Sequence, residues 1–220
     1  PDIEDFIWCK ALEERKARVL RDAGFDMDLD GKDSHSIQYQ NANNSVRVTD
    51  EFMEAVREGA EFVLRSPRDG SERAKVDARS LFQKLVETRL ATGEPYIIFI
   101  DQVNKTMPRH HRDLGLKVTT SNLCSEITLP TGRDHLGADR TAVCCLSSLN
   151  LETWDQWNGD KLFIEDVMRF LDNVLTDYIE RAPDEMARAK YSAMRERSVG
   201  LGVMGFHSFL QARRIPFEGA

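Results

Sequence analysis

Apolar residues recur at helical spacing over several stretches of the chain and alternate over a few short ones. Phe6, Ile7 and Leu12 mark one face of Ile3 to Gly24, with Glu13-Glu14-Arg15-Lys16 outward, which predicts a helix that Gly24 ends. Phe25 to Asn43 is polar and turn-rich and predicts a loop. Asn44 to Val48 alternates as a strand, and Thr49 is placed to cap a helix whose first turn carries Asp50 and Glu51. Phe52, Met53, Val56, Ala60, Val63 and Leu64 extend that helix's apolar stripe, and Ser66 to Lys75 reads as a loop. Ala78, Leu81, Phe82, Leu85 and Val86 predict the next helix, ending at Thr92-Gly93 before a strand over Tyr96 to Ile100. Phe163, Val167, Phe170, Leu171, Val174, Leu175 and Tyr178 form the cleanest amphipathic helix. Pro183 interrupts it, Glu185 to Arg195 resumes helically, Ser198 to Val203 reads as a strand, and Phe206 to Arg213 begins another helix. Strands alternating with helices predict an α/β architecture.

A chain of 220 residues can bury a sizeable core, and 41% hydrophobic with 30% charged residues is an ordinary globular balance. The net charge of −7 argues against a nucleic-acid-binding surface. No apolar run approaches a membrane span, and the start has no signal-peptide pattern, so no membrane association is expected. Four cysteines without a framework spacing fit a reducing compartment, and the cytoplasm is the expected location.

The segment Ser121-Asn122-Leu123-Cys124-Ser125-Glu126-Ile127 concentrates the chemistry. Residues two apart share a face on an extended backbone, so an extended or loop conformation gathers the Asn122 amide, the Cys124 thiol and the Glu126 carboxylate, and sends Leu123, Ser125 and Ile127 the other way. A helix would scatter the trio. Taken alone, a cysteine in a half-apolar segment is more often packing than chemistry. A second cluster, Val143-Cys144-Cys145-Leu146-Ser147-Ser148-Leu149-Asn150-Leu151, follows after a loop, Thr131 to Arg140, rich in Gly, Asp and Arg.

Ser121 to Ile127 with Leu129-Pro130-Thr131, then Ala142-Val143-Cys144 and Leu146 to Leu151, resemble the catalytic core of the ribonucleotide reductase large subunit. Pro1 to Ile7, Asn44 to Met53, Thr92-Gly93-Glu94-Pro95-Tyr96 and Arg197 to Val203 resemble the same family in the same order, so the likeness covers nearly the whole chain. It implies part of a ten-stranded α/β barrel made of two five-stranded parallel halves, with residues 121–127 on a central finger loop. On this reading residues 1–220 are a catalytic barrel domain incomplete at both ends, with 25–43 a loop. The Ser-Asn-Leu-Cys order points to class I, since B12-dependent relatives often carry Asn-Pro-Cys-Gly-Glu.

The resemblance also implies roles. Cys124 becomes a thiyl radical that takes the ribose 3′-hydrogen, Glu126 is general base on the 3′-hydroxyl, Asn122 and Ser121 bind the substrate, and Cys144 is one of two reducing thiols. The partner of Cys144 has no counterpart in the chain, Cys145 is a bystander, and Cys9 is packing. A vicinal Cys144–Cys145 disulfide is not expected. Gln38, Gln40 and Asn43 are candidates for a loop that reports nucleoside triphosphate effectors. The implied substrate is a ribonucleoside diphosphate. Implied partners are a radical-generating small subunit holding the metal (alternatively adenosylcobalamin), a second large subunit, and a dithiol reductant such as thioredoxin or glutaredoxin. The alternatives are a B12-dependent ribonucleotide reductase core and an inert fragment that needs complementary chains.

Two other patterns compete. Gly200, Gly202 and Gly205 match the dinucleotide fingerprint, which needs a strand-to-helix turn and an acidic residue about twenty positions on, beyond Ala220. His35, His110, His111, His135 and His207 lack ligand spacing with the cysteines, so no metal site is expected and surface positions suit them better.

Overall fold

The computed structural model describes residues 2–39 and 41–219, which fall into two compact units. The first comprises Pro1–Asp113 and Val118–Thr128, the second Leu114–Lys117 and Leu129–Ala220.

The first unit opens with α1 (Ile3–Asp22), which Gly24 terminates at φ 93°. Ile7 and Ala11 face the core, whereas Phe6 and Leu12, expected inward, are 40% and 42% exposed. β1 (Ser45–Val48) leads to Thr49, whose hydroxyl accepts from the Phe52 N–H at 3.1 Å and starts α2 (Asp50–Glu58). The apolar stripe does not carry this helix to Leu64. Gly59 turns left-handed (φ 67°), and the chain becomes an antiparallel hairpin of β2 (Glu61–Arg65) and β3 (Glu72–Asp77). Its turn is built by Asp69, which accepts from the Ser71 N–H and hydroxyl at 3.0 and 2.7 Å, and by Gly70 at φ 71°. Hydrogen bonds from the Ser71 hydroxyl and N–H hold the Asp69 carboxyl below the usual range.

Asp77 caps α3 (Ala78–Thr92), which Gly93 ends, and β4 (Tyr96–Phe99) then pairs parallel with β1 from Ser45↔Tyr96 to Val48↔Phe99. Parallel strands require such a crossover, and the helices cover one face of the pair. Ile7, Val46, Val48, Phe52, Ala78, Leu81 and Leu85 form one buried cluster, with the Phe62 ring edge-on to Phe52 at 5.1 Å. Two short helices, α4 (Ile100–Thr106) and α5 (Arg109–Asp113), complete the unit. His111 on α5 is buried, against the expectation of a surface position.

The second unit has a small hairpin, β5 (Gly132–Arg133) with β6 (Asp139–Arg140), then β7 (Cys145–Asn150). α6 (Trp154–Trp157), α7 (Phe163–Arg181) and α8 (Ala187–Glu196) cross over to β8 (Val199–Met204), which pairs parallel with β7 from Cys145↔Val199 to Asn150↔Met204. α9 (Phe206–Arg213) follows. Leu171 and Leu175 of α7 are buried, while Phe170 and Val174 on its flank are exposed. Neither parallel pair closes on itself among the described residues, which is what a part of a barrel contains. Among the described residues no helix is long and apolar enough to cross a membrane.

Candidate functional site

Residues 121–127 are neither strand nor helix. The Ser125 N–H donates to the Asn122 carbonyl at 3.1 Å, closing a turn with Leu123 and Cys124 at its tip. Ser125 sits at φ 65°, the left-handed region that a residue with a side chain seldom occupies. The alternating-face expectation therefore fails for the backbone: Leu123 is 62% exposed, and the chain folds back within five residues. The expected company is nonetheless realised in part, because a turn brings residues i and i+4 together. The Asn122 Nδ2 donates to Glu126 Oε1 at 2.6 Å.

The rest of the loop is tied around that pair. Asn122 Oδ1 accepts from the Ile127 N–H at 3.1 Å, which fixes which way the amide points. The Ser121 hydroxyl lies 2.7 Å from the Ile127 carbonyl oxygen and 3.2 Å from Asn122 Oδ1. Asn122 thus spends its oxygen and one N–H on the loop. Its second N–H and the Glu126 Oε2 make no hydrogen bond among the described residues, and both residues are exposed beside the turn tip. Cys124 is an exposed thiol at that tip and makes no hydrogen bond there. A donor, a carboxylate acceptor and a thiol presented on one short loop can hold a polyhydroxyl compound and carry both proton and hydrogen-atom chemistry.

Sequence reasoning missed the side chain that delivers this loop. Asn104 of α4 donates to the Val118 carbonyl at 3.0 Å and accepts from the Val118 N–H at 2.9 Å, pairing with both main-chain groups of a residue only 2% exposed. Arg47 of β1 donates to the next carbonyl, that of Thr119. An asparagine in a short polar helix carries no pattern that announces this role. Asn104→Leu is expected to destabilise the first unit by about 1–3 kcal/mol, because it leaves a buried N–H and C=O unpaired. Urea unfolding checks it, and a shift below about 0.5 kcal/mol would count against the clamp.

The remaining predicted positions lie elsewhere. Cys144 is exposed in the second unit, immediately before β7. Cys145 has no disulfide, and its thiol donates to the Leu171 carbonyl at 3.6 Å. Cys9 on α1 donates to the Phe6 carbonyl at 3.2 Å and accepts from Asn44 Nδ2 at 3.5 Å. Gln38 is exposed, and its N–H donates to Glu13 Oε2 at 3.1 Å. Asn43 is half-buried, and Gln40 lies outside the described residues. Hydrogen bonds from Lys16 and the Gln38 N–H hold the Glu13 carboxyl below its ordinary value.

Gly200 and Gly202 are interior to β8 rather than on a strand-to-helix turn, and only Gly205 (φ 70°) adjoins a helix start. This is not the geometry of a dinucleotide fingerprint. Among the described residues no three His, Cys, Asp or Glu side chains converge as a metal site.

The whole chain, residues 1–220, matches the family model for the ribonucleotide reductase barrel domain. It is 44% identical over 155 residues to the ribonucleoside-diphosphate reductase large subunit of Invertebrate iridescent virus 3, covering 70% of this chain and 24% of that protein. It is 46% identical over 181 residues to the vitamin B12-dependent ribonucleotide reductase of Streptomyces avermitilis, covering 80% of this chain and 17% of that one. The solved structure of the Actinobacillus ureae class Id ribonucleotide reductase alpha subunit superposes with a TM-score of 0.62 at 34% identity, over 80% of this chain and 31% of that one. The chain therefore spans less than a third of the length of each of these relatives.

Proposed function

The chain belongs to the ribonucleotide reductase barrel-domain family, and on that footing we propose that it supplies the radical-cysteine loop and one reducing thiol of a ribonucleoside-diphosphate reductase. The observation that carries the reading is the Asn122–Glu126 contact of 2.6 Å flanking an exposed Cys124 on one tight turn.

Cys124, oxidised by one electron and deprotonated, takes the 3′-hydrogen atom of the ribose and returns it at the end. Glu126 accepts the 3′-hydroxyl proton through its outward oxygen. The second N–H of Asn122 binds a sugar oxygen, and Ser121 holds the Asn122 amide in register. The 2′-hydroxyl leaves as water while two thiols, Cys144 and a partner, become a disulfide. One ribonucleotide and one dithiol thus give one deoxyribonucleotide, one disulfide and one water. The diphosphate follows the named substrate of the viral relatives.

The oxidant is supplied by a separate metal-containing subunit. B12-dependent relatives of similar identity make adenosylcobalamin the rival source, and turnover driven by it without a second subunit would replace this part of the proposal. An external dithiol such as thioredoxin restores Cys144 and its partner.

The test is Glu126→Gln in the full-length subunit bearing this segment, assayed with its radical source and a dithiol. An amide oxygen can still accept from Asn122, so the turn survives, but the base is gone. We expect kcat to fall by about 10²–10⁴ with substrate binding little changed. An unchanged kcat would remove Glu126 from the chemistry. The 220-residue chain alone is expected to give no deoxynucleotide, and turnover by it would overturn that.

A further inference from the structure

The second unit buries a cluster of ionisable groups that the chemistry above does not use. The Arg140 side chain is 3% exposed and the Asp134 side chain 0%. Arg140 Nε donates to Asp134 Oδ2 at 3.0 Å, and its Nη1 donates to Glu196 Oε1. The Tyr191 hydroxyl donates to the same Asp134 oxygen at 2.9 Å, and the guanidinium lies 5.6 Å from the Tyr191 ring centre. Asp134 Oδ1 accepts from the Leu136 and Ala138 N–H groups at 2.9 and 3.0 Å, so one carboxylate closes the β5–β6 turn and fastens it to α8.

The fastening continues toward Cys144. The Thr141 N–H reaches the Arg188 carbonyl of α8 at 3.5 Å, and Arg188 pairs with Asp139 at 3.0 Å. Beyond Cys144 the chain is caught again, by the β7–β8 register at Cys145↔Val199 and by the Cys145 bond to Leu171. Only Ala142, Val143 and Cys144 lie between the two anchors, which are four residue steps or about 14 Å apart at most. A buried ion cluster is a weak source of stability compared with apolar side chains of the same volume, but its fork geometry fixes direction.

We propose that Arg140, guided by Tyr191 and Asp134, is a positioning residue that sets where the Cys144 thiol stands. The proposal rests on Cys144 being a reducing thiol, and its test separates the two claims. In the full-length subunit a nitroxide label is placed on Cys144, with every other cysteine replaced by serine, and in a parallel protein that also lacks Cys144 a control label is carried by Asp177→Cys on α7. Arg140→Lys keeps the charge and loses the fork, and Tyr191→Phe removes one hydrogen bond. The expected result in each is a rotational correlation time at position 144 shortened about twofold or more, with the α7 label unmoved. Unchanged mobility at 144 in both variants overturns the proposal, and equal loosening at the α7 label reduces the cluster to general support and overturns it too.

In the full-length subunit the same two variants, with unlabelled cysteines, are expected to lower kcat about tenfold or more while KM holds within about twofold. If Cys144→Ser abolishes turnover and the clamp variants leave kcat intact, the positioning claim falls. If Cys144→Ser turns over normally, it is the reading of Cys144 that falls, and the label mobility alone then decides for or against the clamp.

Discussion

Cys124→Ser in the full-length subunit is expected to abolish deoxynucleotide formation while leaving nucleotide binding and folding intact. The reason is bond strength. A serine O–H is much harder to oxidise than a cysteine S–H, so the source that makes a thiyl radical cannot make its oxygen counterpart. The structural cost is small because Cys124 is exposed, makes no hydrogen bond among the described residues, and occupies the tip of a turn held by its neighbours. An exposed substitution of this kind stays within about 0.5 kcal/mol. Loss of activity without loss of stability is therefore the signature of chemistry at this sulfur. Measured dissociation constants for the substrate, unfolding curves and product formation check the three parts. Product formed by the variant at any appreciable fraction of the wild-type rate would remove the thiyl assignment and leave Cys124 a surface thiol.

The sequence made the helices legible because their ends are written in local chemistry. Thr49 and Asp77 cap α2 and α3, Gly93 ends α3, and Pro183 separates α7 from α8, all as the residue types imply. The β2–β3 hairpin was hidden because Val63 and Leu64 fall at spacings that also suit a helix begun at Asp50. Gly59 and the Asp69-Gly70 pair were the signals that decide for a hairpin. The Asn122, Cys124 and Glu126 spacing anticipated the Asn122–Glu126 contact by an argument about strands, yet a left-handed Ser125 and three local hydrogen bonds make that contact in a turn, and Cys124 bonds to neither. Nothing in the sequence pairs Arg140 with Glu196, 56 positions away. That contact depends on how α8 returns across the unit, and two-residue strands give no periodicity to read.

Arg140→Leu is expected to destabilise the second unit by about 3–5 kcal/mol, because removing one member of a buried ion cluster strands its partners. Here two carboxylates, Asp134 and Glu196, would lose their shared cation with side chains 0% and 9% exposed. Against a total of about 5–15 kcal/mol for a domain, this is a large share. The pH dependence identifies the cause. Burial pushes the Asp134 carboxyl up, but hydrogen bonds from Tyr191, Arg140 and the Ala138 and Leu136 N–H groups outweigh it and hold the group well below the ordinary carboxylate range. A folded pKa below the unfolded value of about 3.9 adds stability that is present above that pH and lost as pH falls below it. Wild-type stability should therefore begin to drop below about pH 5 and keep dropping as pH falls to the depressed folded value, while Arg140→Leu, with Asp134 less depressed, starts lower and levels off at a higher pH. Urea unfolding followed by tryptophan fluorescence, with Trp154 and Trp157 reporting the second unit, measures both quantities. A loss under about 1 kcal/mol at neutral pH, or parallel acid curves for the two proteins, would mean that water already screens the cluster and that its charges contribute no more than a surface pair.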